Sequence, residues 1–542
     1  ALASPSAGAA PRRPAGARRP QERGRSGPGG SLAGSRRAFP FRLWLGAAVA
    51  RSWAGWRTAR RSVETFPAGN EPCPPPVLYN QRWVQLAILA LLALLSDWVC
   101  FSVAAVPEPW QKVFGEDPAN LIDLFLFTNV FFCFVEPYCI KAFGLRIPII
   151  GAGLLMAVGC ILRSGVPLVG EALPEYVPVV AGTMMVAAAQ PFFQCTPPLL
   201  SATWFAPNER ALATAVAINF NQVGIATAFL IGGEMARTVE GLKPYFDVMT
   251  VSAVVVAVGA VFLFQERPPT PPSTSELEKM EMEAAGGKDD VGFLEQAQKF
   301  LSTPGFIQPL SAFVCSIAVT NVVGAFLEKK LFSAGISSPE VVEYAGVGFE
   351  LAIVVGGIIL GGIVDENKEY KTVTMACLLA TLVVVFALGL SSSPPALVLI
   401  ALLAVGLLTG PVQPINAELA VEVTYPADEN AIEAIQQLCG NLVSALLVPV
   451  CLWASGYSLG LPGFGEAPWS IQGDTVLLLV LVAGVLGYFS TFNAPLKRTE
   501  VDTQTCLVVT DEADVTDQQE STLKGELEGV AGGSTEPASP AR

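Results

Sequence analysis

The sequence predicts an all-α, polytopic membrane protein in which twelve transmembrane helices form two six-helix halves. The chain has 542 residues, of which 52% are hydrophobic and only 15% are charged, and its mean hydropathy is +0.50. A soluble globular domain carries about 25% charged residues. Apolar runs long enough to cross a bilayer recur along the chain, and one long polar stretch divides them into two groups.

The apolar runs place the helices in order. Six helices are predicted before the polar stretch, at about 83–106, 119–141, 146–165, 177–204, 210–234 and 245–265. Six more follow it, at about 307–331, 342–364, 373–391, 394–421, 431–455 and 475–494. The stretch PPTPPSTSELEKMEMEAAGGKDD (268–290) is rich in proline and then in charge, which predicts a linker. This layout resembles the major facilitator superfamily, whose two halves rock around a site near the bilayer midplane.

Charge and composition divide the chain into five regions. The first 81 residues hold thirteen arginines, no lysine and three glutamates, and the first methionine is Met156. Such a segment is predicted to be a disordered basic arm, a targeting sequence or an artefact of the gene prediction. The predicted regions are the basic N-terminal region 1–81, the first half 82–266, the polar acidic cytoplasmic linker 267–305, the second half 306–495 and the acidic disordered tail 496–542.

Basic residues indicate how the helices are oriented. Lysine and arginine are enriched in the cytoplasmic loops of membrane proteins. If the N-terminus is cytoplasmic, the same side also receives five basic residues near helix ends, which are Lys141, Arg146, Arg210, Lys368 and Lys371. We therefore expect an integral, multi-pass protein with both termini in the cytoplasm. The sequence leaves open whether it lies in the plasma membrane or in an organelle membrane.

Residue usage excludes several classes of site. The chain has no histidine, so a histidine-ligated metal, a histidine general base and a histidine haem ligand are all excluded. Nine of the eleven cysteines lie in apolar segments, where thiols are ordinary packing residues, and no pair has the CxxC spacing. We find no convincing pair of nucleophile and base, and therefore do not predict an enzyme, a metal, a cofactor or a nucleic-acid partner.

Four strings carry a resemblance to one transporter family. They are TWFAPNERALATAVAINFNQVGIA (203–226), ELAVEVTYPADEN (418–430), FGLR (143–146) and GGIVDENKEYKT (361–372). The sequence resembles the feline leukaemia virus subgroup C receptor-related proteins, solute carrier family 49, over residues 82 to 495. The first two strings are fairly specific, and the other two are common in the superfamily. Members of this family are associated with choline, ethanolamine and haem transport, and the superfamily resemblance implies that a monomer is sufficient.

Charges near the helix ends predict a gate. Pro207 and Asn208 end one helix, and Glu209 then lies at the positive end of the next. Glu418 and Glu422 are four residues apart on one helix face, where like charges repel, so they need a cation. We expect Arg210 or Lys371 to supply it. With the resemblance, the predicted gating residues are Arg146, Glu209, Arg210, Asp365, Lys371, Glu418 and Glu422; the alternative is a solvated turn of ordinary charges.

Polar residues inside the apolar runs predict a central cavity, because lipid cannot satisfy them. They are Asp97, Gln190, Gln194, Asn219, Asn221, Gln222, Glu350, Gln413, Asn416, Glu433, Gln436, Gln437 and Asn441. Uncharged amides dominate this set, which favours a small, weakly hydrated organic solute. A polyanion would require several lysines or arginines at this depth. Asp97 is a candidate for proton coupling.

The resemblance assigns two residues to the substrate pocket. Trp98 matches a first-helix tryptophan that stacks on a quaternary ammonium, and Gln190 matches a pocket glutamine. A tryptophan face attracts a cation by roughly 0.5–2 kcal/mol. Two positions depart from the choline-handling pattern, because Leu327 replaces a tyrosine and Asn441 replaces a glutamine. The predicted substrate-binding residues are Asp97, Trp98, Gln190, Gln194, Asn221, Gln222, Phe326, Asn416, Gln437 and Asn441.

Alternatives to this pocket stay open at the level of the sequence. Trp98 is equally explained as a membrane-interface anchor or a packing residue. Asp97 is equally explained by pairing with a base such as Arg163 or Lys330. We expect a transporter of a small organic solute by alternating access, with a choline- or ethanolamine-like amine first, haem or another porphyrin second, and a non-transporting receptor or sensor as the other class.

Overall fold

The computed structural model describes residues 78–165, 173–285, 292–390, 393–461 and 469–503. Almost all of the predicted N-terminal region and most of the predicted acidic tail lie outside the described residues. The tail begins differently from the prediction, because residues 497–503 are helical and Arg498 is buried. The second half therefore continues past residue 495.

Nine helices belong to the first half and two to the linker within these ranges. The first-half helices are α1 (Gln81–Phe101), α2 (Pro107–Phe114), α3 (Pro118–Phe143), α4 (Arg146–Ser164), α5 (Tyr176–Ala189), α6 (Pro191–Gln194), α7 (Pro197–Trp204), α8 (Arg210–Met235) and α9 (Val239–Leu263). The linker contains α10 (Thr274–Ala284) and α11 (Phe293–Leu301).

The second half repeats the pattern and adds a hairpin. Its helices are α12 (Ile307–Ser333), α13 (Pro339–Asn367), α14 (Tyr370–Gly389), α15 (Pro395–Thr409), α16 (Val412–Thr424), α17 (Glu429–Ala454) and α18 (Gly473–Ser490). Strands β1 (Ser458–Leu461) and β2 (Trp469–Gln472) pair antiparallel, with Ser458 opposite Gln472. The described residues contain twelve spans that are long and apolar enough to cross a membrane, which confirms the predicted number.

Two predicted helices are interrupted. The fourth predicted helix consists of α5, α6 and α7, and the tenth consists of α15 and α16. Prolines start the new segments at Pro191 and Pro197, and Gly410–Pro411 separates α15 from α16. Proline has no amide hydrogen and its ring clashes with the preceding turn, which explains the interruptions. The first of them leaves Gln190 at the junction of α5 and α6.

The two halves pack against each other chiefly through α8 and α13. Each half has its own apolar core, and three first-half residues, Cys133, Cys195 and Ala211, pack into the core of the second half. Hydrogen bonds of Ser201 with Glu418 and of Ala211 with Asp365 join the halves at one end of the bundle. Helices α10 and α11 and residues 497–503 bind at the same end, which we call the linker end. In this conformation the linker end is closed.

Close helix packing in the first half predicts one stability effect. A Cβ atom at Gly224 on α8 would lie only 2.1 Å from the carbonyl oxygen of Leu94 on α1. We expect Gly224→Ala to force these helices apart and to lower the free energy of unfolding by about 1–3 kcal/mol, measured by denaturation of the purified protein. The control is Gly484→Ala on α18, where an added Cβ meets nothing within 4 Å. Equal stability of the two variants would contradict the prediction.

Candidate substrate site and gate

Asp97 lies at the end of a chain of amide hydrogen bonds inside the first half. The Nε2 group of Gln190 donates to Asp97 Oδ1 at 2.9 Å. The Nδ2 group of Asn129 on α3 donates to Gln190 Oε1 at 2.7 Å and to Gln194 Oε1 at 3.3 Å. Three predicted site residues therefore lie together. The sequence analysis missed Asn129, although a single asparagine within an apolar run was a signal for it.

A second carboxylate faces this site from the other half. Glu350 on α13 lies within electrostatic range of Asp97. Asp97 Oδ2 and Glu350 Oε2 are shielded from solvent and have no hydrogen-bond partner among the described residues. Buried carboxylates normally find a cation or hydrogen-bond donors, since the hydrocarbon cannot stabilise them. Each half therefore contributes one unpaired carboxylate oxygen at this level.

The bases suggested as partners of Asp97 lie elsewhere, which corrects that alternative. Arg163 donates to Ser102 Oγ at 2.9 Å, and its guanidinium lies 4.7 Å from the centre of the Phe246 ring. Ser102 follows Asp97 by five residues, about 7.5 Å along a helix axis, so Arg163 reaches a different level of the bundle. Lys330 forms an ion pair with Asp474 at 2.8 Å.

Trp98 packs against the sixth membrane helix. Its indole N–H donates to the hydroxyl of Tyr245 at 3.1 Å, and the two ring centres are 6.4 Å apart. The Tyr245 hydroxyl donates in turn to the carbonyl of Ala228 on α8. Because adjacent side chains on a helix diverge by about 100°, Trp98 and Asp97 point in different directions. Trp98 is only 5% exposed, and its contact with a solute stays a prediction.

The other predicted pocket residues are dispersed. Asn221 and Gln222 are half-buried on α8, and Asn221 Oδ1 has no partner in the described part of the chain. Phe326 lines a separate, largely apolar cavity of the second half together with Leu327 and Lys330.

Three predicted residues lie on α16 and α17. Asn416 donates to Thr374 Oγ1 at 3.1 Å and is thereby turned towards α14. Gln437 donates to Glu433 Oε1 at 2.9 Å, and Asn441 is half-buried on the same helix. No described hydrogen bond joins these residues to Asp97.

Among the predicted gating residues, Glu418 joins the two halves directly. This buried carboxylate accepts hydrogen bonds from Ser201 at 2.7 Å and from Thr214 at 2.5 Å, both in the first half. Its cation is Arg498, at 3.3 Å. Arg210 also lies within electrostatic range of Glu418 and Glu422, in agreement with the expectation. Lys371 does not pair with Glu418, since it donates to a backbone carbonyl of the second half.

Arg498 interacts electrostatically with both Glu418 and Glu422. Burial alone would lower the pKa of Arg498, but the carboxylates of Glu418 and Glu422 outweigh it and raise the pKa above the ordinary value. Glu422 accepts from the backbone N–H and the hydroxyl of Thr499 at 2.9 and 3.1 Å. The sequence analysis missed these residues because their segment was assigned to the disordered tail.

Arg210 connects three parts of the chain. Its guanidinium pairs with Asp502 at 3.0 Å and donates to the hydroxyls of Ser273 and Ser275, at 2.5 and 3.2 Å, at the start of α10. Asp502 also accepts from the backbone N–H of Ser275 at 2.8 Å. The linker and residues 497–503 are therefore both bound to Arg210 of the first half.

Asp365 joins the halves by binding a helix end. It accepts from the backbone N–H groups of Ala211 and Leu212, at 2.9 and 2.7 Å, in the first turn of α8. An anion is favourable at this positive end of a helix. Lys368 reinforces the contact by donating to the carbonyl of Pro207.

Two predicted gating residues make their described contacts within the first half. Glu209 pairs with Arg82 at 3.1 Å. The backbone N–H groups of Leu145 and Arg146 donate to the carboxylate of Glu266 at 2.8 and 2.6 Å, which caps the start of α4. These contacts stabilise one half, whereas those of Glu418, Arg210 and Asp365 involve both the first half and the second half.

The fold agrees with a match to a known family. The sequence profile of the Major Facilitator Superfamily matches residues 86–449. The chain belongs to the major facilitator superfamily. The structure of the superfamily transporter FucP in its outward conformation aligns with a TM-score of 0.57 and 12% identity, over 76% of this chain and 100% of that one, which supports the fold.

Two curated relatives support the narrower resemblance to solute carrier family 49. The solute carrier family 49 member A3 of Danio rerio is 27% identical over 401 residues, which are 71% of this chain and 82% of that protein. The choline/ethanolamine transporter flvcr2b of Danio rerio is 23% identical over 392 residues, which are 70% of this chain and 79% of that protein.

The gate predicts a strong coupling between Arg498 and Glu418. We expect Arg498→Gln to leave a buried carboxylate unpaired and to destabilise the closed linker end by about 3–5 kcal/mol. The double variant with Glu418→Gln should cost less than the sum of the two single variants, because neither charge then remains alone. Denaturation of the four proteins measures this cycle. Lys497→Gln, at an exposed neighbouring position, is the control, and additive effects would show that the pair is not coupled.

Proposed function

We propose that this superfamily transporter moves a small cationic organic solute of the choline and ethanolamine class by alternating access. The observation that carries the proposal is the pair of unpartnered carboxylate oxygens, one on Asp97 and one on Glu350. The described structure pairs neither residue with a base. An amine would supply the missing positive charge.

The position of the two acids links binding to the conformational change. Asp97 belongs to α1 of the first half, and Glu350 belongs to α13 of the second half. When both acids are ionised and the site is empty, the two like charges repel. A cation between them is attracted to both halves, so it favours the conformation in which they approach most closely. A ligand shifts a conformational equilibrium only through such differential affinity.

The donor chemistry favours a primary amine over a quaternary one. An ammonium group can donate to the free oxygens of Asp97 and Glu350, whereas a quaternary ammonium has no N–H to donate. A quaternary group gains instead from an aromatic cage. Leu327 stands where the cage would have a tyrosine, and Trp98 already packs on Tyr245. We therefore place ethanolamine-like solutes before choline.

We also propose that the linker end faces the cytoplasm. Arg82, Arg146 and Arg210 lie near this end, in agreement with the positive-inside rule. The solute then enters from the opposite side in the present conformation, since the linker end is closed. Opening toward the cytoplasm requires the contacts of Glu418, Arg210 and Asp365 to break.

Substitution of the central acids tests the proposed substrate class. We expect wild-type protein in proteoliposomes to take up labelled ethanolamine and choline, and Asp97→Asn or Glu350→Gln to lower the apparent affinity at least about tenfold, since each removes one charge of the site. The neutral alcohol 3,3-dimethyl-1-butanol, which has the shape of choline without its charge, should not compete.

The control variant is Glu340→Gln, which removes an exposed carboxylate at the first turn of α13. It should behave as wild type. Equal competition by the neutral alcohol would disprove a cation site. Absence of amine binding together with saturable haem binding would replace the proposal by a porphyrin transporter, and binding without uptake would indicate a receptor.

Trp98 requires a separate test, because packing and ligand contact make different predictions. If its ring contacts the solute, Trp98→Ala should weaken amine affinity, whereas Tyr245→Phe, which removes only the hydroxyl partner, should not. The magnitude expected for a lost cation–π contact is roughly 0.5–2 kcal/mol, measured by equilibrium binding. If both variants lose stability and bind the amine as wild type does, Trp98 is a packing residue.

A further inference from the structure

A second group of membrane-embedded acids lies between the proposed solute site and the gate. Glu136 on α3 and Glu433 on α17 belong to different halves, and both are completely buried at 0% exposure. Asn430 donates to Glu136 Oε2 at 3.1 Å across the interface between the halves. Gln437 donates to Glu433 Oε1 at 2.9 Å on the same helix.

One oxygen of each acid lacks a partner. Glu136 Oε1 and Glu433 Oε2 are both shielded from solvent and form no hydrogen bond with any described residue. The thiol of Cys195, which contacts that of Cys133, lies within electrostatic range of both acids. Two buried carboxylates and two thiols therefore share one small region at the interface of the halves.

Among the ion pairs of the described residues, none joins a base to Glu136 or to Glu433. The charged or titratable groups within electrostatic range of Glu136 are Asp428, Cys133, Cys139 and Cys195, and those within range of Glu433 are Glu418 and Cys195. All of them are acids or thiols. The nearby bases are engaged elsewhere or lie toward the surface: Lys279 pairs with Glu429, Arg498 pairs with Glu418, Lys141 is half-buried and Lys299 on α11 is exposed.

The cost of burying a charge decides the chemical state of the two acids. An ionised carboxylate without a cation is very unfavourable in such surroundings, whereas a neutral carboxylic acid is tolerated and can donate a hydrogen bond. Opening the linker end separates α3 from α17 and exposes both acids to water. Each acid can then lose its proton to the water on the linker side and remain as a solvated carboxylate.

We propose that Glu136 and Glu433 form a proton-binding site that is occupied while the linker end is closed and that releases its protons on the linker side when this end opens. Proton release is thereby coupled to alternating access. The proton-binding site lies at a different level of the bundle from the proposed solute site. Because protons bind only the closed state, low pH favours closure, and raising the pH favours opening. The proposal does not depend on the identity of the solute.

The test uses purified full-length protein without added solute, as wild type, Glu136→Gln, Glu433→Gln and the double variant. Glutamine mimics the neutral acid and keeps the acceptor that Asn430 requires. Infrared titration measures the C=O band of buried carboxylic acids. We expect wild type to lose this band as the pH rises, and the double variant to lack the part contributed by the two residues.

Labelling of Cys195 by a maleimide reports the opening, because this thiol is completely buried, within electrostatic range of both acids, while the linker end is closed. Its rate is divided by that of half-buried Cys439, which corrects for the pH dependence of thiol chemistry. The normalised rate of wild type should rise by up to about tenfold per pH unit for each proton released. The double variant should stay slow and nearly independent of pH.

The control is Glu328→Gln, which removes an exposed carboxylate on α12 and should leave the wild-type profile unchanged. Identical infrared titrations of wild type and the double variant would show that the two acids are not protonated in the closed state. An unchanged pH slope of Cys195 labelling in the double variant would show that they do not couple protons to opening. Either result overturns the proposal, while leaving the amine-uptake test unaffected.

Discussion

A carboxylate inside a bilayer must be paired with a cation, neutralised by a proton or bound by a ligand, because hydrocarbon cannot solvate it. The protein uses different solutions at different levels. At the linker end, Glu418 has Arg498, and Asp365 has the amide groups of a helix terminus. At the centre, Asp97 has only an amide donor for one of its oxygens. The distribution of partners therefore separates the gate, which is satisfied within the protein, from the site, which is not.

The gate depends on contacts that span the sequence. Arg498 follows Glu418 by eighty residues, and Arg210 reaches both the linker and Asp502. Such contacts close the linker end only when the two halves, the linker and residues 497–503 are all in place. Each buried ion pair is strongly destabilised by loss of one partner, although its net contribution over an apolar pair is small. The gate contacts thus select one arrangement of the halves, although their net contribution to the free energy of unfolding is small.

Hydropathy predicted the twelve helices because the bilayer dictates their length and composition, and polarity within the apolar runs marked Asp97, Gln190 and Gln194 as residues that face the interior. Their arrangement in one chain of hydrogen bonds was not predicted. It did not predict the partner of Glu418, since the choice between Arg210, Lys371 and Arg498 depends on long-range packing. Composition assigned Arg498 to a disordered tail because acidic residues dominate that tail as a whole. The sequence marked Glu350 as a polar residue in an apolar run. Its proximity to Asp97 could not be predicted, because it depends on how α13 packs on α8.

Both groups of unpaired acids draw one member from each half. Asp97 faces Glu350 near the proposed solute site, and Glu136 lies with Glu433 nearer the gate. The net charge of each pair of acids therefore depends on whether a cation or protons are bound to it. The distance between the halves at that level changes with this net charge. In the proposed mechanism, a cation at the first level removes repulsion across the interface, and protons at the second level remove the cost of burying two charges. Because both levels belong to the same two rigid halves, a cation bound at the first level and protons bound at the second affect each other's binding. This coupling is reciprocal for their binding free energies.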